Sequence, residues 1–174
     1  SSFFLGIVAL AVSLTDPSGN SSHKVAQIWA GWILRISGVR VTVRGLRHID
    51  PERPTIYMAN HQSLFDIPVL LGRLPVQFRW LAKAELFRIP VFGQAMRRCG
   101  YISIDRSDRK SAFESLARAA RMIRDGVSVL IFPEGTRSRN HVVRSFKKGG
   151  FVLAVDSGVR SEEHTSELQS LLII

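Results

Sequence analysis

Residues 55–66 read Thr-Ile-Tyr-Met-Ala-Asn-His-Gln-Ser-Leu-Phe-Asp. The first five are β-branched or apolar, as a strand requires, while residues 64–72 have helical character. The chain therefore passes from strand to helix across one short polar turn. The same order repeats on both sides of it. Residues 39–43, 76–81, 101–104 and 127–132 read as further strands, and 90–98, 112–125 and 148–157 as further helices. This alternation argues an α/β fold, expected here as a mixed sheet flanked by helices. The clearest helix opens on a capping box, Ser111-Ala-Phe-Glu114. Phe113, Leu116, Ala120 and Ile123 form its expected buried stripe, and Gly126 closes it.

Upstream, residues 23–38 carry Val25, Ile28, Trp29, Trp32, Ile33 and Ile36 at helical spacing, with Gly38 as a stop. Two readings stay open. The two tryptophans and a thin basic face suit a helix lying in a bilayer interface; the same stripe also suits packing on the protein's own core. The apolar run at residues 3–14 favours the membrane. Its twelve residues fall short of the roughly 17–25 that cross a bilayer as a helix. It is expected to be the remainder of a longer membrane segment. The division is thus 1–38, a membrane-associated helical segment, and 39–159, an incomplete α/β domain.

Residues 160–174 read differently. Arg-Ser-Glu-Glu-His-Thr-Ser-Glu-Leu-Gln-Ser, 160–170, resembles the conceptual translation of a sequencing-library adapter over 11 consecutive residues. Native sequence is expected to stop near Val159, with 160–174 a non-native tail.

The 174 residues suffice for one α/β domain with a real core. Net charge is +10, from 24 Lys and Arg against 14 Asp and Glu. Without 160–174, one Arg and three Glu fewer, 23 basic and 11 acidic residues remain, net +12. Such a balance points to an anionic partner, whether a phosphorylated substrate or an anionic membrane surface. Aromatic residues do not interleave with the basic ones as a nucleic-acid platform requires, so no nucleic-acid partner is expected. Cys99 is alone, which excludes an internal disulfide framework and a zinc cluster, and fits a reducing compartment.

His61 and Asp66 carry the first candidate chemistry. Five residues apart, they would diverge by about 140° on a continuous helix. They can touch only if His61 lies on the turn before the helix, at the carboxyl end of a strand, where open α/β sheets place their sites. Imidazole can take the proton of an attacking hydroxyl while the carboxylate fixes its tautomer. Ser63 has no G-x-S-x-G elbow around it and is not read as a nucleophile. The plain alternative is helix capping by Ser63-x-x-Asp66.

The second constellation, Phe132-Pro-Glu-Gly-Thr-Arg-Ser138, follows the apolar run 127–132. A Pro-Glu-Gly turn is ordinary at a strand end. A carboxylate, a hydroxyl and a guanidinium in sequence are also suited to substrate: Arg grips phosphate and Glu accepts from hydroxyls.

Together, Asn60-His-Gln-Ser-Leu-Phe-Asp66 and Phe132-Pro-Glu-Gly-Thr-Arg-Ser138 resemble the paired signatures of the 1-acylglycerol-3-phosphate acyltransferase family. Gly100-Tyr-Ile-Ser-Ile-Asp-Arg106, Lys83-Ala-Glu-Leu86 and Phe146-Lys-Lys-Gly149 match further blocks, in order, through nearly all of 1–159. The resemblance implies a fatty acyl group moved from acyl-CoA or acyl carrier protein to the sn-2 hydroxyl of 1-acylglycerol 3-phosphate. It implies His61 as general base with Asp66 as its partner. Arg106 would bind the acceptor phosphate with Lys83 and Arg137 as helpers, and Glu134, Gly135 and Thr136 would complete the acceptor site. No metal or organic cofactor is implied. The expected partners are the lysophospholipid, the acyl carrier and a membrane surface, with the protein on the cytoplasmic face. The family's fourth block, an apolar strand with proline, is missing after Gly158, so the chain is expected to be C-terminally truncated.

Two alternatives remain at this point. One is the same chemistry on glycerol 3-phosphate or another lysolipid. The other is a non-catalytic membrane-surface binding module in which His61 and Asp66 cap a helix.

Overall fold

The computed structural model describes residues 2–138 and 142–158. Residues 159–174, including the adapter-like stretch, lie outside the described residues. Two helices come first, α1 (Ser2–Val12) and α2 (Asn20–Ile36). The α/β part then runs β1 (Ile56–Met58), α3 (Asp66–Arg73), β2 (Phe78–Lys83), α4 (Phe92–Arg98), β3 (Ile102–Ile104), α5 (Arg109–Arg124), β4 (Ser128–Ile131) and α6 (Gly149–Ser157).

The four strands form one sheet in the order β1-β4-β2-β3, and each pairing is parallel. The expected mixed sheet is therefore corrected, among the described residues, to an all-parallel one. The reason is topological: each connection between consecutive strands carries a helix, and a crossover of that length returns the chain in the same direction. Residues 39–43 form no strand; only Thr42 makes an isolated bridge, and Arg40 and Thr42 are exposed. Three valines satisfied the local pattern without gaining a ladder.

Both faces of the sheet are covered, which explains the near-continuous apolar character of β2 and β4. Tyr57, Phe78, Trp80 and Leu130 pack toward α2, α3 and α4, where they meet Ala30, Leu70, Leu71 and Met96. Leu81, Ile102, Val129 and Ile131 face the other way, against Leu116, Ala119 and Ile123 of α5 and Leu153 of α6. α5 begins at Arg109, not after Ser111, because the Asp108 side chain accepts the Lys110 N–H and caps it. Leu116, Ala120 and Ile123 are buried as expected. Phe113 is instead 49% exposed, with the Arg109 guanidinium over its ring.

α2 packs on the protein's own core with one face and leaves the other face exposed. Ala30 and Leu34 are buried against the domain and Trp29 packs beside them. Ile28, Trp32 and Ile36 remain exposed on the opposite side. Gly38, at φ 66, stands just past its end. Arg79 of β2, 2% exposed, donates to the Ser18 carbonyl at 3.1 Å and to Asn20 Oδ1 at 2.6 Å. That guanidinium ties the turn between α1 and α2 to the sheet. Among the described residues no helix is long and apolar enough to cross a membrane.

Candidate active site

Parallel neighbours deliver their loops to the same edge. β1 and β4 are adjacent, and Ala59 extends the ladder by donating to the Ile131 carbonyl at 3.1 Å. The loop holding His61 and the loop holding Glu134 therefore leave the sheet side by side at the carboxyl ends of their strands, where α/β sheets place their sites.

The two loops are stapled at His61. Its backbone N–H donates to Glu134 Oε1 at 2.7 Å, and its carbonyl accepts the Ser138 N–H at 2.8 Å. His61 precedes α3, so the five-residue separation from Asp66 is bridged: Nδ1 lies 2.7 Å from Asp66 Oδ2. The same carboxylate oxygen accepts the N–H groups of Gln62 at 2.8 Å and Ser63 at 2.9 Å. An oxygen serving those donors is an acceptor toward the ring also. Nδ1 then carries hydrogen and Nε2 is left with its lone pair. Asp66 is 3% exposed and lies in the first turn of α3, where the helix dipole favours a carboxylate. Pro68 falls in that first turn as well, where a missing N–H costs no helical bond. Ser63 Oγ accepts only the Phe65 N–H, at 3.1 Å. One Asp66 oxygen thus serves the turn before α3 and the imidazole together, while Phe65, at the N-cap of α3, makes no side-chain capping bond.

Glu134, expected among the substrate-binding residues, is 2% exposed and is not among the residues that line the cleft beside His61. Oε1 takes the His61 N–H and Oε2 the Arg144 N–H, at 2.7 and 2.8 Å. Its carboxylate braces two segments of backbone. Nothing in the residue pattern distinguished this from a contact with substrate, because both uses need an acceptor at a strand end.

The cleft itself holds about 810 Å³, and its lining includes His61, Lys83, Arg106, Gly135, Thr136 and Arg137. Apolar residues also line it: Ala26, Trp29 and Ile33 of α2, Leu71 of α3, Leu86, and Met96 of α4. Lys83 pairs with Glu85 at 2.9 Å in the open, and that ammonium draws the Glu85 carboxyl below its ordinary range. Arg106 donates from Nη1 to the Gly135 carbonyl. Gly135 sits at φ 80, in the left-handed region. A Cβ there would meet Arg106 Nη1 at 2.8 Å and Lys147 Cε at 3.0 Å. Lys147 is a cation at this loop that the sequence reading left unassigned, although it stood in the Phe146–Gly149 block. Its N–H donates to the Pro133 carbonyl at 2.9 Å, which fixes its register.

Cys99 also lines the cleft, but burial pushes its thiol up to about 11, so it is packing and not a nucleophile. Among the described residues no group of three or more His, Cys, Asp or Glu gathers to hold a metal ion.

The model of the family described as Acyltransferase matches residues 40–161. A chloroplastic 1-acyl-sn-glycerol-3-phosphate acyltransferase of Arabidopsis thaliana is 37% identical over 150 residues, covering 85% of this chain and 42% of that one. A 1-acyl-sn-glycerol-3-phosphate acyltransferase of Pseudomonas aeruginosa is 36% identical over 164 residues, covering 91% of this chain and 63% of its own. The crystal structure of the 1-acyl-sn-glycerophosphate acyltransferase PlsC from Thermotoga maritima superimposes with a TM-score of 0.72 at 32% identity, over 90% of this chain and 64% of that one. This chain thus spans less than two thirds of each of these relatives. With the family match covering most of its residues, parallel sheet and stapled loops included, the chain belongs to the acyltransferase family.

Proposed function

We propose that this chain carries the catalytic region of an enzyme that moves a fatty acyl group to the sn-2 hydroxyl of 1-acylglycerol 3-phosphate, giving phosphatidic acid. The acyl donor in this reading is a thioester of coenzyme A or of acyl carrier protein. The observation that carries it is the His61–Asp66 pair, set where a cationic rim meets an apolar cleft. A lysophosphatidate has the matching anatomy: an anionic head, a free hydroxyl and an acyl tail. The cleft volume lies within the range of about 300–1,000 Å³ usual for small-molecule sites.

In this mechanism the acceptor phosphate lies against Arg106, with Lys83 and Arg137 nearby. Nε2 of His61 takes the hydroxyl proton as the oxygen attacks the thioester carbonyl. Asp66 stabilises the imidazolium that forms. The tetrahedral oxyanion collapses, the C–S bond breaks, and the imidazolium returns its proton to the departing sulfur. Ester and free thiol are the products, and the chain supplies no nucleophile of its own. A membrane-surface location accompanies this reading, supported by the exposed apolar side of α2.

The test is an acyl-transfer assay on the full-length protein with lysophosphatidate, glycerol 3-phosphate and a neutral lysolipid. His61→Ala should lower turnover by about 10²–10⁴-fold. Near-normal turnover in that variant at saturating acceptor would sink the mechanism. Preference for glycerol 3-phosphate would move the acceptor assignment.

A further inference from the structure

We propose that Phe132 is a positioning residue for His61, holding the plane of the imidazole and attracting the imidazolium that forms as the acceptor proton is taken. The inference rests on His61 acting as the general base. The two rings are stacked, with centroids 4.0 Å apart and planes 11° from parallel. The His61 backbone is bound at both N–H and carbonyl, and Nδ1 is bound to Asp66. One freedom remains to the ring, a swing that keeps Nδ1 near the carboxylate while Nε2 sweeps an arc. The face of Phe132 closes one side of that arc.

Phe132 is itself held firmly. It is the first residue after β4, so the sheet sets its place. Behind it Trp80 stacks at 5.4 Å and 30°, and Trp80 meets the fully buried Phe78 edge-on at 5.4 Å. The imidazole thus rests on a ladder of aromatic rings rooted in the core.

The near-parallel geometry also has an electrostatic sense. Two neutral aromatic rings prefer an offset or edge-to-face approach. A cation over a π-face is attracted to it. His61 is neutral before the acceptor hydroxyl gives up its proton and cationic afterwards. The attraction therefore grows toward the transition state, and a term of that kind appears in kcat, not in KM. Phe132 gives and takes no atom in the step. In the sequence it stood as the apolar end of a strand and the first residue of the Phe132–Ser138 block, with no role of its own.

The experiment uses four forms of the full-length protein: Phe132→Leu, Phe132→Tyr, His61→Ala, and the His61→Ala/Phe132→Leu double variant. Phe132→Leu should lower kcat about three- to thirtyfold, the range of a cation–π contact, with both KM values nearly unchanged. Phe132→Tyr keeps the π-face and should retain most of the turnover. In the His61→Ala background, Phe132→Leu should have no further effect, because its action passes through the ring. The carbon-bound protons of His61 should also lose their ring-current shift in Phe132→Leu. If Phe132→Leu does not fold, Phe132→Met makes the same comparison. Unchanged kcat, a loss confined to KM, or an equal loss without His61 overturns the proposal. Normal turnover in His61→Ala alone overturns the general-base reading and this inference with it, and the single variant identifies that case.

Discussion

The Glu134 carboxylate accepts the backbone N–H of His61 at 2.7 Å, across 73 residues of chain. A side chain at the end of β4 thereby fixes the main chain of the candidate base at the end of β1. Since its other oxygen takes the Arg144 N–H, one buried carboxylate joins three segments of backbone. Removing it would leave the His61 and Arg144 N–H groups without their carboxylate acceptor.

Glu134→Ala should therefore act first on stability. Hydrogen bonds to a charged group are each worth about 1.5–3 kcal/mol, so the loss is expected at roughly 3 kcal/mol or more. For a domain of this size that corresponds to about 6–12 °C in Tm. Glu134→Gln keeps one carbonyl acceptor and should fall between the two. A thermal melt of the three proteins checks this. A variant with unchanged Tm and only a raised acceptor KM would return Glu134 to the substrate.

The sheet and the dyad were legible because they rest on local signals. A strand, a polar turn and a helix fixed the place of His61, and the geometry of a helix decided that it had to precede Asp66 by leaving the helix. What was illegible depended on which strand neighbours which. The β1–β4 adjacency joins residues 73 apart, and with it come the Glu134 brace and the Phe132 stack. Residues 39–43 failed for the opposite reason: strand character is local, but a partner is not. The start of α5 was missed because Asp108, three residues before Ser111, offered an equally good cap, and the one that reaches Lys110 N–H wins.

Arg106 and Gly135 should behave as one unit. Arg106→Ala removes a charge-assisted contact, and acceptor KM should rise at least about tenfold for a loss of a few kcal/mol. Gly135→Ala adds a Cβ at 2.8 Å from Arg106 Nη1 on a backbone of φ 80, and should displace the same guanidinium. The double variant should then be less than the sum of the two. Steady-state kinetics with both substrates varied measures this. A rise confined to donor KM would place Arg106 on the carrier's phosphates.

His23 gives the protein a built-in acid sensitivity. It is fully buried on α2, its Nδ1 is 3.0 Å from the Tyr101 hydroxyl, and burial holds its pKa at about 3. The folded state keeps it neutral while the unfolded chain protonates near 6.5. The unfolded state thus binds the extra proton between these values, and stability falls as pH drops through that window. From pH 7 to pH 5 the contribution should be about 2 kcal/mol. Urea unfolding of the wild type and of His23→Leu checks the slope against pH. The variant loses stability outright, but its slope between pH 7 and 5 should flatten by close to one proton. Equal slopes would mean that His23 is protonated in the fold.

The outer side of α2 carries large apolar residues. Ile28, Trp32 and Ile36 stand one turn apart, and are 56, 64 and 73% exposed, while Ala30 and Leu34 on the opposite side are buried. A helix that only packed on its own domain would not need three large apolar residues on the face turned to solvent. Arg35 beside them supplies charge in the last turn. The arrangement suits a bilayer interface, where an indole sits at headgroup depth and a cation meets anionic lipid. With α2 in such an interface the cleft would lie close to the lipid phase, because Trp29 and Ile33 of the same helix line it. Trp32→Ser and Ile36→Ser should each weaken binding to anionic vesicles, by roughly 2 kcal/mol for a large side chain fully withdrawn from water. Since all three residues point away from the core, Tm should hardly move. Co-sedimentation with phosphatidylglycerol-containing vesicles and a parallel melt separate the two effects. The comparison needs a soluble acceptor too: turnover on a short-chain lysophosphatidate below its micellar concentration should survive Trp32→Ser, while turnover on vesicle-borne acceptor should drop. Vesicle binding that persists undiminished in the triple variant Ile28→Ser/Trp32→Ser/Ile36→Ser would remove α2 from the membrane and leave its exposed face without that role.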